Sequence, residues 1–194
     1  KILKKADLNI TDIIIKEKEV SKDNKVSEYN HDDDVELIHS INDNIELIHS
    51  INNTNYSLKF GQESEGIKKY YSFSGILIIL ISNFSTIVSI DELESSLHPE
   101  LFQHFLLTFL VNSKNSQLIA TSHYREILNN RDIFRDDAIW FTDKNEDSAT
   151  ELYSLADFDS SVVRDTTNVL NAYKSGKLGG VPNLGDYYID LDEE

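Results

Sequence analysis

Hydrophobic residues fall in short β-branched clusters separated by polar stretches, with longer segments at helical spacing between them. Asn9 to Val20 carries Ile10, Ile13, Ile14, Ile15 and Val20 and predicts a strand. Ser21 to Asp34 is polar and charged and reads as a loop. A heptapeptide then repeats, Glu36-Leu37-Ile38-His39-Ser40-Ile41-Asn42 recurring as Glu46-Leu47-Ile48-His49-Ser50-Ile51-Asn52. The period fits two strands joined by a turn at Asn42-Asp43-Asn44. It also fits a helix, because Ile38, Ile41, Ile45 and Ile48 lie three or four residues apart. Strands are the preferred reading, and two copies are too few for a solenoid.

From Gly66 to Asn83, Ile67, Tyr70, Tyr71, Ile78 and Ile81 recur at helical spacing and predict a helix. Thr86-Ile87-Val88-Ser89-Ile90 is a β-branched run that stops at Asp91-Glu92, the pattern of a buried strand. Pro99 opens a helix to about Val111, with Leu101, Phe105, Leu106, Phe109 and Leu110 expected on its inner side. Gln117 to Thr121 predicts another buried strand, followed by Ser122-His123 and a short helix. Ala138 to Thr142 and Thr150 to Ser154 predict two more strands. Ser161 to Tyr173 predicts a last helix, and the glycine-rich stretch Gly176 to Pro182 a terminal loop. Strands alternating with helices imply an α/β fold, a mostly parallel sheet flanked by helices.

Composition narrows the classes. At 194 residues and 40% hydrophobic, the chain can bury the core of one domain or of one large lobe of a bigger protein. The longest apolar run, Gly75 to Ile81, has seven residues and is too short for a membrane span. Lys1-Ile2-Leu3-Lys4-Lys5 leads into no apolar stretch, so no secretory leader is expected. With no cysteine, disulfides and thiolate metal sites are excluded. The cytoplasm is the simplest compartment. The lack of methionine points to a processed product or a piece of a longer chain, and the piece is preferred. Formal charge is 18 − 34 = −16, which argues against nonspecific nucleic-acid binding by this chain alone. The acidic runs Asp32 to Asp34 and Asp190 to Glu194 read as solvated loop and tail.

Candidate chemistry begins where the strand at Ile87 ends. Ligands collect at the carboxyl ends of parallel strands, and phosphoryl transfer needs a placed magnesium ion and an aligned water. Asp91 suits the magnesium, through water, and Glu92 suits polarising the attacking water. Alone, Asp-Glu fits equally well as a strand ending at the surface. Glu94-Ser95-Ser96-Leu97-His98-Pro99 then turns into a helix, its small polar residues fit to cap that helix or to contact a neighbouring subunit. His98 reads as a turn residue. At the end of the next strand, His123 can donate to a γ-phosphate oxygen and hold the water in register. A lone histidine is more commonly structural. Asp-Glu and His ending successive apolar strands in this order are far less readily coincidental.

Ile90-Asp91-Glu92-Leu93-Glu94-Ser95-Ser96-Leu97-His98-Pro99, with Gln117-Leu118-Ile119-Ala120-Thr121-Ser122-His123, resembles the ABC-type ATPases of the overcoming-lysogenisation-defect kind. That group includes bacterial anti-phage and abortive-infection ATPases. Arg135 to Phe141, Thr150 to Leu155 and Lys177 to Pro182 resemble the carboxyl-terminal hallmarks of the same subset. Ala6 to Ile10 resembles the return from its inserted region to the ATPase core. The resemblance implies a P-loop NTPase-like ABC head over residues 1–194. Residues 1–60 would be a β-rich lead-in, 61–143 the signature, Walker B and switch-histidine core, and 144–194 a carboxyl-terminal extension. In such heads a signature loop precedes the Walker B strand, and Glu63-Ser64-Glu65-Gly66 occupies that place. Ser64 and the amides after Gly66 would bind the γ-phosphate held by a second subunit, as a helix amino terminus suits an anion. Ser64 is equally suited to a plain helix cap. Ser95 completes the expected nucleotide contacts, with ATP and Mg2+ as cofactors.

One stretch imitates a phosphate loop. Gly61 to Lys68 has the two-glycine spacing, but Ile67 stands where the lysine belongs and Lys68 where the hydroxyl belongs. Glu63 and Glu65 would also repel phosphate. The Walker A motif is therefore absent from these residues, and the head is incomplete. The leading expectation is the carboxyl-terminal part of an ATPase whose phosphate loop lies upstream or in another chain, inactive by itself. The resemblance further implies ATP-clamped heads, as a homodimer or higher even oligomer, and control of a nuclease or toxin-like effector in anti-phage defence, with no membrane partner. A non-catalytic scaffold is the second reading. A DNA-repair or recombination ATPase of the same superfamily is the third. The carboxyl-terminal hallmarks disfavour that third reading, as does the short span from Ala6 to Ser64, which leaves no room for a coiled-coil arm.

Overall fold

Residues 1–6, 8–16, 44–82, 85–158 and 169–182 are described by the structure, a computed structural model. The polar loop from Ser21 to Asp34, the first heptapeptide copy, both acidic runs and residues 161–168 of the expected last helix lie outside the described residues. The contact pattern separates two compact units, Lys1–His123 and Tyr124–Glu194. The fold is mixed α/β.

In the first unit a short helix α1 (Ile2–Lys5) leads into β1 (Ile10–Ile15). β2 (Ile45–Ile51) is the second heptapeptide copy, and it is a strand. It pairs antiparallel with β1 on one side and with β3 (Thr54–Lys59) on the other. Asn52 and Asn53 make the β2–β3 turn, with φ of +51° and +62°. Two consecutive left-handed residues match the right-handed twist of a hairpin, and asparagine tolerates that region. Ile10, Ile45, Leu47 and Phe60 form the core under this sheet.

The helical layer consists of α2 (Glu65–Ile81) and α3 (Pro99–Asn112). The α2 side chains Tyr70, Phe73, Leu77 and Leu80 are buried and follow one helical face. Pro99 takes the first turn of α3, where its missing N–H costs nothing. The inner face of α3 differs from the expectation. Phe102 is buried at 2% exposure, whereas Leu110 is 42% exposed. Phe102, Phe105 and Leu106 cluster on one side of the helix, and Leu110 sits further round it. The Phe73 and Phe105 rings meet with centroids 5.5 Å apart. Beside them the Tyr70 hydroxyl and His104 Nδ1 are 2.5 Å apart. Burial pushes the Tyr70 phenol up to about 12 and holds the His104 imidazole below its ordinary value, the latter helped by Lys5. Both shifts favour the neutral forms, so the contact is a hydrogen bond between a phenol and an uncharged imidazole. Ser113 Oγ donates to the Leu80 carbonyl at 3.2 Å and ties the two helix ends together.

β4 (Ile87–Ile90) and β5 (Gln117–Ala120) pair in parallel. Among the described residues the strands form three separate sheets, and β4–β5 is the parallel pairing within them. The pairings β1–β2, β2–β3 and β6–β7 are antiparallel, so the expected mostly parallel sheet is met only at β4–β5. Both strands were expected to be buried, and they are not. Ile87 is 70% exposed and Ile119 52%. A β-branched run reports strand preference but not what covers the strand, and parallel sheets are ordinarily covered on both faces.

The second unit opens with a 3-10 turn at Arg125–Asn129. β6 (Trp140–Lys144) and β7 (Thr150–Ser154) form an antiparallel hairpin, β6 starting two residues later than its pattern predicts. The helix α4 (Val169–Lys174) packs Val169, Leu170 and Ala172 against Phe141 and Leu155. The terminal glycine loop is bolted on by Tyr153, whose hydroxyl donates to the Leu178 carbonyl at 2.8 Å. Gly179 has φ of +68°, and a Cβ there would lie 2.1 Å from the Tyr153 hydroxyl, so a side chain would strain the backbone and displace that hydroxyl.

Candidate functional site

Parallel pairing decides what meets at the strand ends. In the register Ile87↔Gln117 to Ile90↔Ala120, the chain leaves β4 into Asp91-Glu92 and β5 into Thr121-Ser122-His123, side by side. Two further bonds zip the departing segments together. Thr121 N–H donates to the Ile90 carbonyl at 3.1 Å, and Leu93 N–H to the Thr121 carbonyl at 3.1 Å. Leu93 is fully buried and anchors the turn. The Thr121 hydroxyl donates to Asp91 Oδ1 and accepts from the Glu92 N–H at 2.9 Å. Asp91, Glu92 and His123 are all exposed. Glu92 Oε1 and His123 Nε2 are 3.6 Å apart, too far for a direct hydrogen bond but within ion-pair range and close enough for both to contact one water.

Glu92 adopts φ of +46°, the left-handed region. For a residue with a side chain that costs on the order of 1 kcal/mol, and such strain gathers at functional positions. Glu94 follows, half-buried, its Oε1 accepting from the His123 N–H at 2.6 Å. Burial would raise the Glu94 carboxyl, yet bonds from the His123 amide, its own amide and the Ser122 side chain hold it below the usual carboxylate range. Thr121 and Glu94 were not singled out by the sequence. The available signal was a hydroxyl and a carboxylate flanking the motif residues.

The second cluster lies at the start of α2. Ser64 caps this helix, accepting from the Ile67 N–H at 3.3 Å. The preceding Glu63 is buried and meets His49 Nε2 at 2.7 Å, so it points inward, away from any ligand. Ser64 shares no hydrogen bond with Asp91, Glu92 or His123. Two residues on, however, a Cβ at Gly66 would lie 3.1 Å from the Ser96 carbonyl oxygen, so α2 begins against the turn that follows Glu92. Ser95 sits in that turn, its N–H donating to the Glu92 carbonyl at 2.9 Å. His98 occupies the N-cap position of α3 without a capping bond and pairs with Glu100 at 2.7 Å.

The imitation phosphate loop is not a loop. A 3-10 turn spans Phe60–Gln62 and α2 starts at Glu65, before the second glycine, while Lys68 bonds Glu65 at 2.9 Å. An apolar cleft of about 690 Å³ lined by Leu3, Ile10, Ile13, Tyr71 and Ile78 includes none of the strand-end residues. Among the described residues no group of three or more His, Asp or Glu side chains could hold a metal by itself. Magnesium keeps several of its waters and binds through one or two carboxylates plus phosphates. Asp91, exposed and oriented by Thr121, fits that role.

Residues 1–129 match the family model described as "AAA domain, putative AbiEii toxin, Type IV TA system". The chain belongs to this family. No curated protein matches it. Membership in the AbiEii-type AAA family makes the matched segment an AAA, P-loop ATPase-like domain with a nucleotide-hydrolase-like, defence-related role. Such domains generally use ATP and Mg2+. The match takes in both clusters, the strand ends and the start of α2. No helix among the described residues is long and apolar enough to cross a membrane.

Proposed function

We propose that this chain is the carboxyl-terminal part of an ABC-type ATPase head that hydrolyses Mg-ATP when a phosphate-binding loop is supplied from outside these 194 residues. The observation that carries the reading is the juxtaposition of Asp91, Glu92 and His123 on one pair of parallel strand ends, with Glu92 and His123 at 3.6 Å. Bound magnesium would neutralise charge building on the phosphates. Asp91 would hold it, Glu92 would orient and polarise the attacking water, and His123 would donate to a γ-phosphate oxygen. Ser64, Ser95 and the amides opening α2 at Gly66 would cap a nucleotide held by a second head, which makes the working unit a homodimer or higher even oligomer. The exposed faces of β4 and β5 support the same reading, since a parallel pair calls for covering elements. In a defence setting the ATPase would control a nuclease or toxin-like effector.

This chain alone should bind Mg-ATP weakly or not at all. A phosphate loop supplies several backbone amides and a lysine around the β- and γ-phosphates, and no such segment is present here. Net charge of −16 removes long-range attraction for the nucleotide as well. Isothermal titration of the isolated chain with Mg-ATP should show no micromolar site, and adding the phosphate-loop segment should create one. Micromolar binding by the isolated chain would contradict the reading. An assembled head that binds ATP but never hydrolyses it would favour a non-catalytic scaffold.

A further inference from the structure

We propose that Glu94 is the positioning residue for His123: its carboxylate, carried on a braced turn, grips the His123 backbone N–H and holds the imidazole beside Glu92. The consequence for turnover rests on the ATPase reading above; the contact itself does not. The His123 side chain is 86% exposed, and its ring stands 3.6 Å from Glu92, beyond hydrogen-bond range. Apart from that ion-pair-range approach to Glu92, the ring's place follows from where its backbone is held. Thr121 is zipped to Ile90 and Leu93. Past it, the Ser122 side chain and the His123 N–H both bond Glu94.

Glu94 stands on a firm base. Leu93 before it is fully buried. Backbone bonds of 2.9 Å run from Ser95 N–H to the Glu92 carbonyl and from Leu97 N–H to the Glu94 carbonyl. Ser96 then abuts the start of α2 at Gly66. The other oxygen, Glu94 Oε2, is buried with no hydrogen-bond partner among the described residues. A bare buried carboxylate oxygen costs more than an apolar side chain in the same place. What Oε1 holds explains why a carboxylate stands there.

The test compares Glu94→Ala with Glu94→Gln, which keeps an oxygen acceptor of the same reach. Amide exchange at His123 is read in this chain, and kcat and KM for Mg-ATP in the ATPase assembled with its phosphate-loop segment. In Glu94→Ala, His123 exchange should quicken about 10-fold or more as the bond is lost. Turnover should fall about 10- to 100-fold with KM nearly unchanged, as for a misplaced catalytic group. Glu94→Gln should recover both to within about 3-fold. Unchanged His123 exchange in Glu94→Ala would overturn the proposal, as would Glu94→Gln losing turnover as fully as Glu94→Ala. A wild-type assembly with no ATP turnover would instead overturn the ATPase reading, and exchange at His123 would still decide the contact.

Discussion

Glu92→Gln, made in the ATPase assembled with its phosphate-loop segment, is expected to bind Mg-ATP as the wild type does and to hydrolyse it at least about 100-fold more slowly. The amide keeps the size and hydrogen-bonding reach of the carboxylate but not the charge that polarises the attacking water. Glu92 is exposed, so the change leaves no buried group unpaired and should not unfold the turn. Its N–H still donates to the Thr121 hydroxyl, and its backbone strain is unaltered. Binding without turnover should accumulate ATP-bound dimer, read by size-exclusion chromatography with light scattering. Hydrolysis at the wild-type rate in this variant would reduce Glu92 to a strand-end carboxylate.

The second large effect concerns stability. Phe105→Ala should destabilise the first unit by about 3–5 kcal/mol, the usual cost of emptying a buried aromatic site. Phe105 is fully buried and its ring packs on Phe73 between α2 and α3. Leu110→Ala on the same helix should cost less than about 1 kcal/mol, because that side chain is already substantially exposed. Urea unfolding of the two variants, followed by circular dichroism, gives the comparison. Equal losses would mean that α3 presents the face the hydrophobic pattern suggests, not the one described.

Why that pattern misjudged Leu110 is a matter of geometry. Apolar residues run almost all the way round α3, so periodicity marks the helix clearly but leaves its rotation to whichever neighbour it meets. The same holds for β4 and β5. Their β-branched runs, and the carboxylates and histidine that end them, were legible as strands and as a candidate site. Their burial was not, since it depends on elements that the run does not encode. Non-local bonds were least accessible. Nothing near Glu63 suggests that it turns inward to His49, fourteen residues earlier, rather than toward a phosphate. Thr121 and Glu94 acquire their places only once parallel pairing brings two loops together. The Asn52-Asn53 turn, by contrast, rests on local chemistry, since asparagine tolerates the left-handed region; the turn expected at Asn42-Asp43-Asn44 falls largely on residues 42 and 43, which lie outside the described residues.

Phosphate release from Mg-ATP, measured for the assembled wild-type ATPase and for Asp91→Ala with and without a magnesium chelator, tests the strand-end site most directly. Turnover that needs magnesium and falls at least about 100-fold in Asp91→Ala is the expected result, because Asp91 is the carboxylate that would hold the ion. No turnover from an assembly that carries a phosphate loop, or turnover that survives both the chelator and Asp91→Ala, would contradict an ATPase site at these strand ends.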